Sequence, residues 1–75
     1  MNVSKHVCEA AGFPVQRMNT EQLEVTSARI GNLGLTLSLW RNPKYWPENR
    51  RPTLPELLQR ITDDDRVRIR ALVAF

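Results

Sequence analysis

Residues 41–51, Arg41-Asn42-Pro43-Lys44-Tyr45-Trp46-Pro47-Glu48-Asn49-Arg50-Arg51, hold two prolines and two asparagines and are a loop by composition. Regular structure is therefore left to the residues on either side. The same loop concentrates the charge. It carries four of the eleven Lys and Arg residues against one acid, and its excess of +3 equals the net charge of the whole chain. With Trp40 at its edge it also holds three of the five aromatic residues. Arg41, Lys44, Arg50 and Arg51 suit anionic groups, and Tyr45 and Trp46 suit flat or apolar ones. These six are candidate binding residues.

Seventy-five residues, 41% of them apolar and 25% charged, suit one globular domain over 1–75 with one modest core. No apolar run nears the ~20 residues needed to span a bilayer, and the segment Met1-Asn2-Val3-Ser4-Lys5-His6 lacks the apolar stretch of a signal peptide. The single cysteine, Cys8, has no internal disulfide partner, which fits a reducing cytoplasm. One His and one Cys, even with Glu9, fall short of a structural zinc set, so His6 and Cys8 read as a surface histidine and a half-buried thiol. A core this small leaves little room for a substrate pocket. The expectation is a protein that binds rather than catalyses, with no metal, no cofactor and no membrane partner. A sequence pI near 9.8 favours acidic protein surfaces or nucleic acid as partners.

Val3, Val7 and Ala11 recur at helical spacing before the stop Gly12-Phe13-Pro14, which predicts a helix over 3–11. Thr53-Leu54-Pro55-Glu56 reads as a capping box, and Leu54, Leu57, Leu58 and Ile61 form an apolar stripe, which predicts a helix over 53–61. Leu33, Leu35, Leu37 and Leu39 alternate with Gly34, Thr36, Ser38 and Trp40, the period of a half-buried strand. Leu23-Glu24-Val25-Thr26 alternates too, and Ile30-Gly31-Asn32-Leu33-Gly34 between them is rich in turn formers. These features predict a β-hairpin over 23–29 and 33–41. A helical rival exists: Met18 and Leu23 around an Asn19 cap with Gln22, and 3–4 spacing through Leu23, Ile30, Leu33, Leu37 and Trp40. It leaves Leu35 and Leu39 unexplained.

Val67, Ile69, Ala71, Val73 and Phe75 alternate against Arg66, Arg68 and Arg70, which predicts a closing strand over 66–74. Asp63, Asp64 and Asp65 then belong to the turn before it; the alternative makes them the acid-rich first turn of another helix. The predicted fold is α+β. On such a strand Arg66, Arg68 and Arg70 form one cationic face, either a solvated edge or an extension of the binding loop.

The order Leu37-Ser38-Leu39-Trp40-Arg41, then Trp46-Pro47, Leu57-Leu58 and Asp63-Asp64-Asp65 with Arg68, resembles helix-turn-helix activators of the phage lambda CII type over roughly half the chain. That resemblance implies an all-α alternative in which Ser-x-Trp lies on a recognition helix and Thr36, Ser38 and Arg41 face DNA. The sequence departs from the pattern at Gly31, Asn32, Gly34, Leu35 and Leu39.

The leading functional expectation is a small non-enzymatic regulator, a modulator or inhibitor of a larger host protein complex such as transcription or nucleic-acid-handling machinery. The alternative is a nucleic-acid-binding transcription regulator of phage or mobile-element type. A net charge of +3 is low for a stand-alone DNA binder, which ranks protein above nucleic acid.

Overall fold

Where alternation predicts a hairpin, the chain runs as one helix. The structure, a computed structural model, describes residues 3–73, for Leu35 the backbone alone. All of its regular elements are helical: α1 (Val3–Ala10), α2 (Thr20–Thr36), α3 (Leu54–Arg60) and α4 (Asp63–Val73), with short 3-10 turns between them. The α+β expectation is overturned, and the all-α alternative agrees with the structure.

The start of α2 is set locally. The Gln22 N–H donates to Asn19 Oδ1 at 2.8 Å, and the Asn19 N–H donates to Gln22 Oε1 at 2.9 Å, a reciprocal cap. From there Leu23 and Ile30 are buried, and Leu33 and Leu37 pack against the core one turn apart. Leu39 does not extend an alternating row, since it lies beyond the end of α2 in a 3-10 turn. Gly34, read as a turn former, is buried within α2, and a Cβ there would stand 3.0 Å from Trp40 Nε1. A glycine inside a helix costs about 1 kcal/mol relative to alanine. At position 34 that cost is offset by the close approach of the tryptophan.

The strand expected at 66–74 is likewise a helix as far as Val73, and residue 74 lies outside the described residues. Asp65 N–H donates to Thr62 Oγ1 at 3.1 Å, and the Thr62 hydroxyl donates to Asp65 Oδ2 at 3.0 Å, so the aspartates open α4. Val67 and Ile69 would share one face of a strand. Instead Val67 is 53% exposed and Ile69 is fully enclosed, which only the helical period allows.

The predicted helices at 3–11 and 53–61 match α1 and α3 to within a residue at each end. At the C-terminus of α1, Gly12 takes φ +90°, with Gly12 N–H donating to the Glu9 carbonyl and Phe13 N–H to the Cys8 carbonyl. This is the glycine-terminated helix end that its position suggests. α1 packs on α2 and α3, and α4 packs on α2. Their shared core holds Val7, Cys8, Ala11, Leu23, Ile30, Leu57, Leu58, Ile61, Ile69 and Val73. Cys8 is buried deeper than expected: it is fully enclosed, and burial pushes its thiol pKa up. His6 and Glu9 are exposed on the same helix, so the three side chains do not converge.

Candidate functional site

After α2 the backbone turns through Ser38, whose φ is 60°, into three successive 3-10 turns: Leu39–Arg41, Pro43–Tyr45 and Pro47–Asn49. Proline starts two of them, where its missing N–H leaves no helical bond unmade. The Asn42 side chain accepts from the Lys44 N–H at 3.2 Å. Glu48 and Asn49 both take left-handed φ values, 51° and 59°. The loop is thus ordered by its own turn chemistry.

Its inner side is apolar. Leu39, Tyr45, Pro47 and Pro52 are buried, while Trp40 and Trp46 are half-buried. The Tyr45 hydroxyl donates to Asp65 Oδ2 at 3.4 Å, tying the loop to the first turn of α4. Trp46 Nε1 donates to the Trp40 carbonyl at 3.0 Å. The rings expected to meet a partner therefore serve mainly to hold the loop down.

Its outer side is cationic. Arg41, Lys44, Arg50 and Arg51 are all exposed. The Lys44 ammonium lies 4.9 Å from the Tyr45 ring centre, and the Arg51 guanidinium lies 5.3 Å from that of Trp40. Arg50 differs from the others. It forms a two-pronged pair with Glu56, Nη1 to Oε1 at 3.1 Å and Nη2 to Oε2 at 2.7 Å. Glu56 also accepts from the Thr53 N–H and hydroxyl at the start of α3. Arg50 therefore fastens the loop to that helix.

The Arg50 hydrogen bonds, with those from Thr53, hold the Glu56 carboxyl at about 2, well below its ordinary value of 4.5. A depressed carboxyl stabilises the fold above its unfolded pKa and loses that contribution as pH falls through the folded one. The fastening is expected to be complete above about pH 4.5 and to be lost towards pH 2. An NMR titration should place the Glu56 midpoint near the lower value in the wild type. In Arg50→Ala it should move up towards the ordinary carboxylate range, and an unchanged midpoint would show that the pair does not form in solution.

The cationic face expected from Arg66, Arg68 and Arg70 is not present. On a helix, residues two apart point in nearly opposite directions. Arg66 Nη2 donates to the Leu58 carbonyl at 2.8 Å, in the last turn of α3, and Nη1 donates to Asp63 Oδ1 at 2.5 Å. Arg70 Nη1 donates to the Ala11 carbonyl at 3.0 Å, at the end of α1. Two arginines one turn apart on α4 thus supply positive charge and donors to the C-terminal ends of two other helices, where carbonyls lack partners. Arg68 alone of the three is exposed.

The residues of the Ser-x-Trp resemblance do not form a recognition helix. Thr36 ends α2, Ser38 occupies the left-handed turn, and Arg41 closes a 3-10 turn. The acid triplet does open a later helix, as that resemblance implies. Among the described residues no group of His, Cys, Asp and Glu is placed to hold a metal, and no helix is long and apolar enough to cross a membrane. No protein-family model, curated protein or solved structure matches the chain.

One feature of the site was not expected. Gly31, Asn32, Trp40, Arg51 and Pro52 line an open cleft of about 490 Å³ between α2 and the end of the loop. Its sequence signal is the glycine pair of α2, which reads as a turn until α2 is seen to be continuous.

Proposed function

We propose that this protein is a small non-enzymatic binding module of the cytoplasm. It modulates or inhibits a larger protein complex by presenting Arg41, Lys44 and Arg51 to an acidic surface of a partner. The observation that carries this reading is the sorting of the 41–51 loop, rings inward and cations outward, on a backbone held by Tyr45, Trp46 and Arg50. A loop ordered before binding loses less conformational entropy on association. The inward rings offer little platform for base stacking. The first turn of α4, with three aspartates, is a poor approach to phosphates. A standard interface takes about 800 Å² per partner. That is roughly a sixth of the 5080 Å² surface of this chain, so a contact centred on the loop also covers its neighbours.

The test is affinity capture from extract of the source cells, using the wild type and an Arg41→Glu/Lys44→Glu/Arg51→Glu variant. Arg50 is left intact because it secures the loop. The wild type is expected to retain a protein partner after nuclease digestion. The variant should lose that partner while keeping the helical circular dichroism and the Tm of the wild type. Capture that disappears with nuclease, or that survives the triple charge reversal, overturns the reading.

A further inference from the structure

Two glycines lie inside α2, and packing requires only one of them. A Cβ at Gly34 would crowd Trp40 Nε1 at 3.0 Å, whereas a Cβ at Gly31 would meet only Leu54 Cδ2, at an ordinary contact distance of 3.5 Å. Gly31 has no left-handed φ to justify it either. Alanine at position 31 would fit the fold and improve the helix. The absent side chain leaves open space above Gly31, and that space is the cleft it shares with Asn32, Trp40, Arg51 and Pro52.

The walls of the cleft define a ligand chemistry. The half-buried Trp40 offers apolar surface, and no acidic residue lines it. Arg51 is exposed, and its guanidinium lies over the Trp40 ring, 5.3 Å from the ring centre. This cation–π contact leaves guanidinium N–H donors available for a planar, two-pronged acceptor. It also restrains a long side chain before any ligand arrives. Asn32, exposed on the facing wall, adds an amide that can donate.

We infer that this cleft is a subsite for a glutamate or aspartate side chain of the partner protein. Arg51 takes the carboxylate, Trp40 covers the methylenes, and Gly31 leaves room for the incoming segment. The inference rests on the proposed protein-binding function and specifies the partner chemistry at one point of that surface.

The test is a titration of the isotope-labelled chain with an end-blocked peptide of alternating glutamate and leucine, read at the Gly31, Asn32 and Arg51 amides and the Trp40 indole. The same peptide with glutamine for glutamate and a short oligothymidylate serve as comparisons. The acidic peptide is expected to shift all four signals saturably. The glutamine peptide, and Arg51→Gln with the acidic peptide, should bind about tenfold or more weakly, the scale of a lost charged hydrogen bond. Gly31→Ala should raise the Tm by a few degrees while weakening the peptide several-fold. Shifts confined to Arg41 and Lys44 would overturn the subsite while leaving the loop as a protein-binding surface. No shift in the cleft overturns it equally. Stronger cleft shifts with oligothymidylate than with the acidic peptide would overturn both readings in favour of phosphate. Undiminished peptide binding by Gly31→Ala would remove the glycine from the site.

Discussion

Ile30→Asp is expected to abolish cooperative thermal unfolding, whereas Asn32→Asp, two residues away, should leave the transition close to that of the wild type. Ile30 is fully enclosed in the middle of α2, and Asn32 is exposed on the other side of the same helix. An unpaired carboxylate at position 30 must either shed its water or draw water into the core, at a cost of several kcal/mol. Loss of the isoleucine side chain adds about 2–5 kcal/mol. A domain of this length has roughly 4–11 kcal/mol of stability in all. Circular dichroism melts of the two variants decide the matter. The pair also separates the two readings of this segment, because a hairpin over 23–29 and 33–41 places Ile30 in its solvated turn. A folded Ile30→Asp protein with an unchanged Tm would restore that turn and remove α2 as a continuous helix.

The second large effect is at Gly12, and it should appear as coupling to a residue far along the chain. Gly12 has φ +90°, and a Cβ there would overlap Arg70 Nη1. Gly12→Ala therefore has a backbone cost of about 1–2 kcal/mol. It also displaces the guanidinium that satisfies the Ala11 carbonyl, a further 1–3 kcal/mol by order of magnitude. The expected loss is about 2–5 kcal/mol, a fall in Tm of roughly 8–40 °C. Arg70→Ala alone should remove only the hydrogen-bond part. Combined, the two substitutions should destabilise by less than their sum, since either one already breaks the contact. Strict additivity in urea unfolding would show that Arg70 does not cap α1 in solution.

How far the site was legible follows from the range of the forces involved. Composition alone places a cationic, ring-bearing loop at 41–51, because proline, asparagine and charge act on the chain locally. Which way each ring turns is a separate matter. Tyr45 is held down by Asp65, twenty residues away, and Arg50 by Glu56 across the start of a helix. Arg66 and Arg70 read as surface charge because alternation places them with Arg68 on one strand face, against the helix-start signal of the aspartates. Their partners, Leu58 and Ala11, sit on other helices.

By itself the sequence determined the ends of α1 and α3, the Asn19–Gln22 signature that starts α2, and the irregular loop. Each depends on residues within a few positions, where a cap either finds its N–H or does not. Tertiary structure decided the state of 23–41 and 66–74, where leucine and valine suit both periods and local preference is weak. The close packing of Trp40 on Gly34, and the burial of Ile69 opposite an exposed Val67, exist only when the segments are helices laid against their neighbours. Packing against distant residues stabilises those segments more than their own propensities oppose it.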